Sequence, residues 1–214
     1  MALTGFDPSI VNQSIQAVNS AYEQLMYTLC DVMQSQFVGG MSDKWACTSS
    51  VNFFNNSFKP AIDQLLKSSN SVFESVVASM NSAAQAWAQQ TDSSYSPTSF
   101  SVITKTIDVS SIQENIGGVR GIDLSAANEV ASKLPTIASS ARDALTSAQQ
   151  AVQNCGFVGG DMANNLISSL GIIKDKINTA TEDLTNQTKN AVENTVGQYG
   201  DLGGKVAQAF STQG

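Results

Sequence analysis

The sequence predicts an all-α protein in which two helical hairpins form an antiparallel four-helix bundle. Four long stretches place apolar residues at alternating spacings of three and four, the period of a helix that buries one face. The motif Phe-Val-Gly-Gly occurs at residues 37–40 and again at 157–160, each time between two such stretches. A motif that recurs in both halves of a chain indicates two copies of one helix–turn–helix unit.

The first helix is predicted to begin after residues 7–9, because Pro8 suits a first helical turn and Asp7 or Ser9 can cap it. Its apolar seam is regular and consists of Val11, Ile15, Val18, Tyr22, Leu25, Leu29 and Val32. Such a seam is typical of a long helix that packs lengthwise against others.

Two glycine pairs, Gly39 with Gly40 and Gly159 with Gly160, are predicted to form the elbows of the two hairpins. Glycine adopts the left-handed conformation in which a helix commonly stops, so at least one glycine of each pair is expected at positive φ.

The second helix carries a broader seam, which favours contacts with more than one neighbour. Its members are Val51, Phe54, Phe58, Leu65, Val72, Val76, Met80 and Trp87. Pro60 lies within this stretch and predicts a kink or a late start, since proline lacks a backbone donor and clashes with the preceding turn.

Residues 92–122 are predicted to link the first hairpin, residues 1–91, to the second, residues 123–199. Helical periodicity lapses there. Residues 101–107 are rich in β-branched side chains, but a lone strand has no partner, so an extended segment lying on the bundle is expected.

The third helix is predicted over about residues 125–154, with a bend at Pro135. The fourth follows the second elbow and is predicted to fade near Gly197. Residues 200–214 are rich in glycine and predict a flexible tail.

Composition argues against several classes of function. The 214-residue chain has a net charge of −7, and nucleic-acid binding needs clustered Lys and Arg that it lacks. Anionic membrane surfaces are disfavoured for the same reason.

The start of the sequence has no basic and apolar leader, and no stretch reaches the roughly 18 apolar residues of a membrane span. These features predict cytoplasmic residence, or secretion by a route that does not read a cleaved leader.

The chain contains no histidine, which removes the commonest general base and the usual zinc ligand. Its glycine pairs lack the spacing of a phosphate-binding loop, and its acidic residues are dispersed. We therefore expect no enzymatic activity, no cofactor and no metal.

The three cysteines are interpreted as buried, small apolar side chains. An alternative concerns Cys30 and Cys47, which are nearly equidistant from the first glycine pair. An antiparallel hairpin could bring them together in a disulfide if both side chains point inward, whereas residence in the cytosol would keep them reduced.

The residues Trp45-Ala46-Cys47 resemble the signature of the Trp-X-Gly superfamily, the early-secreted-antigen-like helical hairpins exported by type VII secretion systems. Cys47 stands at the glycine position of the signature, and Val51 and Phe53 follow at its small-or-apolar and Phe positions. Family members pair as dimers, so two unequal copies on one chain resemble such a pair fused in tandem. The resemblance raises a functional role for Trp45 beside the ordinary one of packing in the hairpin.

The family's export signal is a Tyr with an acidic residue four positions later, after the second helix. Trp87 and Asp92 resemble it, with Trp in place of Tyr and the acid one position later. The resemblance makes these two residues the candidate export signal.

Two functions remain open from the sequence. The first is a non-enzymatic secreted protein, a substrate or export partner of a type VII secretion system whose partner is the secretion machinery or a co-secreted helical protein. The second is a structural or assembly protein of a phage or surface appendage. The first predicts a monomeric pseudo-dimer, in which the two hairpins complete each other's seams, and the second predicts filaments.

Overall fold

The first helical stretch consists of two α-helices joined by two π-helical turns. A computed structural model describes residues 5–158 and 162–211, with side chains over 7–156 and 163–202. After the short strand β1 (Gly5–Phe6), α1 (Pro8–Tyr27) continues through two π-helical turns, Thr28–Val32 and Gln34–Val38, into α2 (Gly39–Met41). The Asp7 carboxylate caps α1 by accepting hydrogen bonds from the backbone of Ser9 and Ile10. All members of the predicted seam except Val32 are buried.

The second helix is disturbed at Pro60, as its sequence predicts. It follows β2 (Trp45–Ala46) and consists of α3 (Thr48–Phe53), a π-helical turn at Phe54–Phe58, and α4 (Lys59–Gln90). Pro60 lies in the first turn of α4, directly after the π-helical turn. The wider turn accommodates the missing donor and the bulk of the ring.

The third helix is interrupted directly in front of Pro135, the residue at which a bend is predicted. After β3 (Gly121–Ile122), α5 (Leu124–Ala131) ends, and α6 (Leu134–Gln153) begins with Pro135 in its first turn. The Asp123 carboxylate caps α5 through the backbone N–H of Ala126.

The fourth helix is longer than predicted. It follows β4 (Phe157–Val158) and runs as α7 (Met162–Ser211), so it does not fade at Gly197 and continues into the segment that the sequence predicts as a flexible tail. An isolated glycine costs a helix only about 1 kcal/mol relative to alanine, and buried contacts at Val192 and Thr195 stabilise the turn before Gly197. Among the described residues, no helix combines the length and apolarity needed to cross a bilayer.

The four helical stretches form an antiparallel bundle, which confirms the predicted fold class. α1 packs against α4 and α6, and α7 completes the ring by packing against α6 and α4. Two short antiparallel ribbons join the hairpins at opposite ends: β1 pairs with β4, and β2 pairs with β3. The turn of the first hairpin therefore lies beside the start of the third helix, and the two hairpins run in opposite directions within one chain.

The linker lies on the bundle as an extended segment, as predicted. Residues 93–109 contain no helix or strand, and Ile107, Val109 and Ile112 are buried against the core. The Ile103 N–H donates to the Tyr22 hydroxyl, at 2.7 Å. The linker thus fills the groove between α1 and α4.

Candidate interaction site

The first glycine pair does not form a left-handed elbow, so that prediction is wrong. Gly39 is helical, with φ −62°, and the helix continues to Met41 before the chain turns. Gly40 has a different role: a Cβ there would lie 3.1 Å from both γ-carbons of Val130. The absence of a side chain allows α2 to approach α5 closely.

The left-handed glycine near the second turn is Gly156, with φ +76°. A Cβ at this position would lie 2.9 Å from Cβ of Ile10, so the turn also needs glycine for space. Gly159 and Gly160 lie outside the described residues.

Trp45 is fully buried at the turn of the first hairpin. Its indole stacks on the Phe53 ring at a centroid distance of 5.8 Å, with 30° between the ring planes, and meets Phe54 edge-on at 6.3 Å. The indole N–H donates to the Thr195 hydroxyl on α7, with 3.3 Å between Nε1 and Oγ1. Pairing of β2 with β3 fixes the backbone at this position. Trp45 therefore joins the first hairpin to the second, and its ring is not exposed to a partner.

Cys47 lies at the N-terminus of α3 rather than in a disulfide. Its N–H donates to the Ser50 hydroxyl, which in turn donates to the Cys47 carbonyl. All three cysteines are buried, and Cys30 and Cys47 are thiols, so the Cys30–Cys47 disulfide is not formed. The Cys30 thiol faces the linker and donates to the Thr106 carbonyl at 3.6 Å. Burial is the main cause that raises the pKa of this thiol.

Trp87 and Asp92, the candidate export signal, lie on either side of the end of α4. Trp87 is half-buried in the last turn, and its carbonyl accepts a hydrogen bond from the Thr91 N–H. Asp92 is exposed and has φ +48°, the left-handed conformation of a helix C-terminal cap. The Ser93 N–H completes this cap by donating to the Ala88 carbonyl. Asp92 thus has a structural role that its sequence position alone does not reveal.

An open groove lies between α4 and α7, on the side of α4 away from the linker. It encloses about 760 Å³ and has an apolar floor formed by Ala61, Leu65, Ala180 and Leu184. Ile172 on its rim is 56 % exposed. A second cavity of about 630 Å³ shares Asn56 and Gln187 with it and extends it toward the turn at Trp45. We call the two together the α4–α7 groove.

The charged residues of the α4–α7 groove come from α7. Lys176 reaches across to α4, where its Nζ lies 3.5 Å from the Ser68 hydroxyl. Asp175 and Asp183 form no salt bridge with any residue that the structure describes. The groove therefore carries two unpaired carboxylates beside one ammonium group.

The described residues include no group of three or more His, Cys, Asp or Glu side chains that could hold a metal ion. The remaining surface features of the described residues are grooves between helices, which are places where another molecule can bind.

The chain matches no protein-family model, no curated protein and no solved structure. The candidate site and the proposed function are consequently inferred from the residues of this chain.

Sequence reasoning missed Thr195 and the α4–α7 groove. Thr195 had a signal, since it is a polar residue in the same helical register as the apolar Leu184 and Val192, and a buried polar group needs a partner. The groove had none, because its width depends on how far apart two helices lie, and periodicity does not encode that distance.

Proposed function

We propose that this chain is a non-enzymatic secreted protein that resembles a fused pair of Trp-X-Gly hairpins and acts as a substrate or export partner of a type VII secretion system. The observation that carries the proposal is the antiparallel packing of two hairpins, with the signature Trp45 at the turn of one and Thr195 of the other as its hydrogen-bond partner.

The packing supports this proposal because it is the arrangement in which paired members of the family cover their seams. In this chain the linker runs the length of the bundle, so one molecule supplies both hairpins. A protein whose seams are already covered has its outer grooves and helix ends available for the secretion machinery or a co-secreted helical protein.

Secretion can be tested directly. The chain is expected in the culture medium of its source cells and is expected to stay inside cells that lack the type VII secretion ATPase. A cytoplasmic enzyme assayed in the same medium controls for lysis, and restoring the ATPase gene controls for secondary defects. Retention in ATPase-containing cells, or equal release from both strains, contradicts the proposal.

The alternative, a structural protein of a phage or surface appendage, gives a different result. It requires the purified chain to assemble into filaments or particles, which electron microscopy detects.

A further inference from the structure

Two grooves flank α4, and only one of them is filled. The groove between α1 and α4 holds the linker as an extended segment. The side chain of Ile107, a linker residue, is buried. The α4–α7 groove has no chain segment lying in it among the described residues.

The filled groove shows how this surface holds an extended chain. The Asn81 side chain donates to the Thr98 carbonyl at 2.9 Å and accepts from the Thr98 N–H at 3.1 Å. Gln34 does the same with Asp108, at 2.7 and 2.8 Å. A carboxamide carries a donor and an acceptor side by side, so it can satisfy both backbone groups of one extended residue.

The α4–α7 groove presents the same chemistry without a partner. Gln64 donates to the Ser68 hydroxyl, but five other amide side chains of the groove are exposed and make no hydrogen bond to another described residue. They are Asn52, Asn56, Gln187, Asn190 and Asn194. The groove also has an apolar floor, on which apolar side chains of a bound segment can lie as Ile107 and Val109 of the linker lie against the core.

Charge defines the bound segment further. Asp175 and Asp183 lie eight residues apart on α7, and neither has a cationic partner among the described residues. A Lys or Arg on the bound segment would pair with them, and Lys176, the only cation among the described residues of the groove, offsets one of the two.

We infer that the α4–α7 groove binds an extended segment of a partner protein, which carries branched apolar side chains and at least one Lys or Arg. The groove amides bond to its backbone, the apolar floor receives its branched side chains, and Asp175 and Asp183 pair with its cation. From Ile172 to Gln198, α7 rises about 39 Å, a length that an extended segment of about twelve residues covers. This inference goes beyond the proposed function and does not depend on secretion.

The test uses the full chain and a phage-displayed library of random peptides of about twelve residues. Selected peptides are expected to be enriched in Lys or Arg and in Ile, Val or Thr. Titration of one such peptide into isotope-labelled protein should shift the amide resonances of α4 and α7 on either side of the groove.

Matched variants locate the binding. Asp183→Lys is expected to weaken the selected peptide about tenfold, since it replaces an attractive charge pair with a repulsive one. Gln187→Ala removes one backbone-binding amide and is expected to weaken it about threefold to tenfold. Asp143→Lys and Gln150→Ala change an exposed carboxylate and an exposed amide on α6, outside the groove, and should leave the affinity unchanged.

Several results would overturn the inference. They are failure to select any peptide, equal weakening by the groove and control variants, and helical structure in the bound peptide. Self-association of the chain that Asp183→Lys abolishes would identify a second copy as the occupant and would equally contradict it.

Discussion

The indole N–H of Trp45 donates a hydrogen bond to the Thr195 hydroxyl, with 3.3 Å between Nε1 and Oγ1. The two residues lie in different hairpins, and both are buried. The Thr195 hydroxyl also donates to the Ala191 carbonyl one turn earlier, at 2.8 Å. A buried N–H without a partner is costly, so this bond favours one register of α7 against the first hairpin.

Trp45 and Thr195 are predicted to be energetically coupled. Thr195→Val should lower the free energy of unfolding by about 1 to 3 kcal/mol, because it leaves the indole N–H unsatisfied. In a Trp45→Phe background the same change should cost about 1 kcal/mol less, since that donor is gone. Urea unfolding of the four proteins measures the coupling.

Thr188→Val is the matched control for this cycle. Thr188 is buried on the same helix, and its hydroxyl donates to the Leu184 carbonyl without contacting Trp45. Its cost should be the same in both backgrounds. Strict additivity of Trp45→Phe and Thr195→Val would contradict the coupling.

The helices were predictable because the apolar residues that they bury recur at helical spacing in the sequence. The seam members Val11, Ile15, Val18, Tyr22 and Leu25 repeat at alternating spacings of four and three, and each is buried. Pro60 and Pro135 also marked real irregularities, since a proline inside a helical stretch lacks a donor and clashes with the preceding turn.

The glycine pair was misread because glycine permits a left-handed turn without requiring one. Two π-helical turns precede Gly39, and the helix continues through it to Met41. A side chain at position 40 would crowd Val130, which explains the glycine there. Both facts depend on contacts with distant residues, which local sequence does not contain.

Three glycine substitutions are predicted to differ in sign. Gly156→Ala should lower the free energy of unfolding by more than about 1 kcal/mol, because φ is positive and the new Cβ would lie 2.9 Å from Cβ of Ile10. Gly40→Ala should also destabilise, by crowding Val130. Gly39→Ala should be neutral or stabilising by up to about 1 kcal/mol, since this residue is helical. Thermal or urea unfolding compares them.

Val130→Ala provides the control for crowding at Gly40. Combined with Gly40→Ala, it should recover part of the lost stability relative to the sum of the single changes. If Gly39→Ala destabilised the protein as much as Gly156→Ala, Gly39 would have to be left-handed, as the sequence predicted, and the structure would be contradicted.

All three cysteines are predicted to react as thiols with a thiol reagent. Protein unfolded in denaturant without a reductant should react with about three equivalents of a thiol reagent, one for each cysteine thiol. A Cys30–Cys47 disulfide would leave one equivalent. In the folded protein, Cys30 should react more slowly than an exposed cysteine at pH 8, since its raised pKa leaves less thiolate at any given pH.

The candidate export signal is predicted to act through Trp87 and the charge of Asp92. Trp87→Ala should reduce secretion in a protein that remains folded by circular dichroism. Asp92→Asn is the informative change at the second position, because asparagine tolerates positive φ and so removes the charge while keeping the helix cap. Glu129→Gln, at an exposed acid on α5, is the control. Wild-type secretion of the folded Trp87→Ala, Asp92→Asn double variant would contradict the assignment.

The chain is predicted to be a monomer. Each hairpin alone would expose an apolar seam, but α1 packs on α6 and α4 packs on α7, so the seams are covered within one molecule. The linker permits this closure because it runs the length of the bundle in the groove between α1 and α4 and is held there by Asn81 near its start and Gln34 further along. Light scattering at micromolar concentration should give a mass near 22.5 kDa that does not change on dilution. A dimer that persists on dilution would show that hairpins from different molecules complete each other's seams, with the linker crossing between chains.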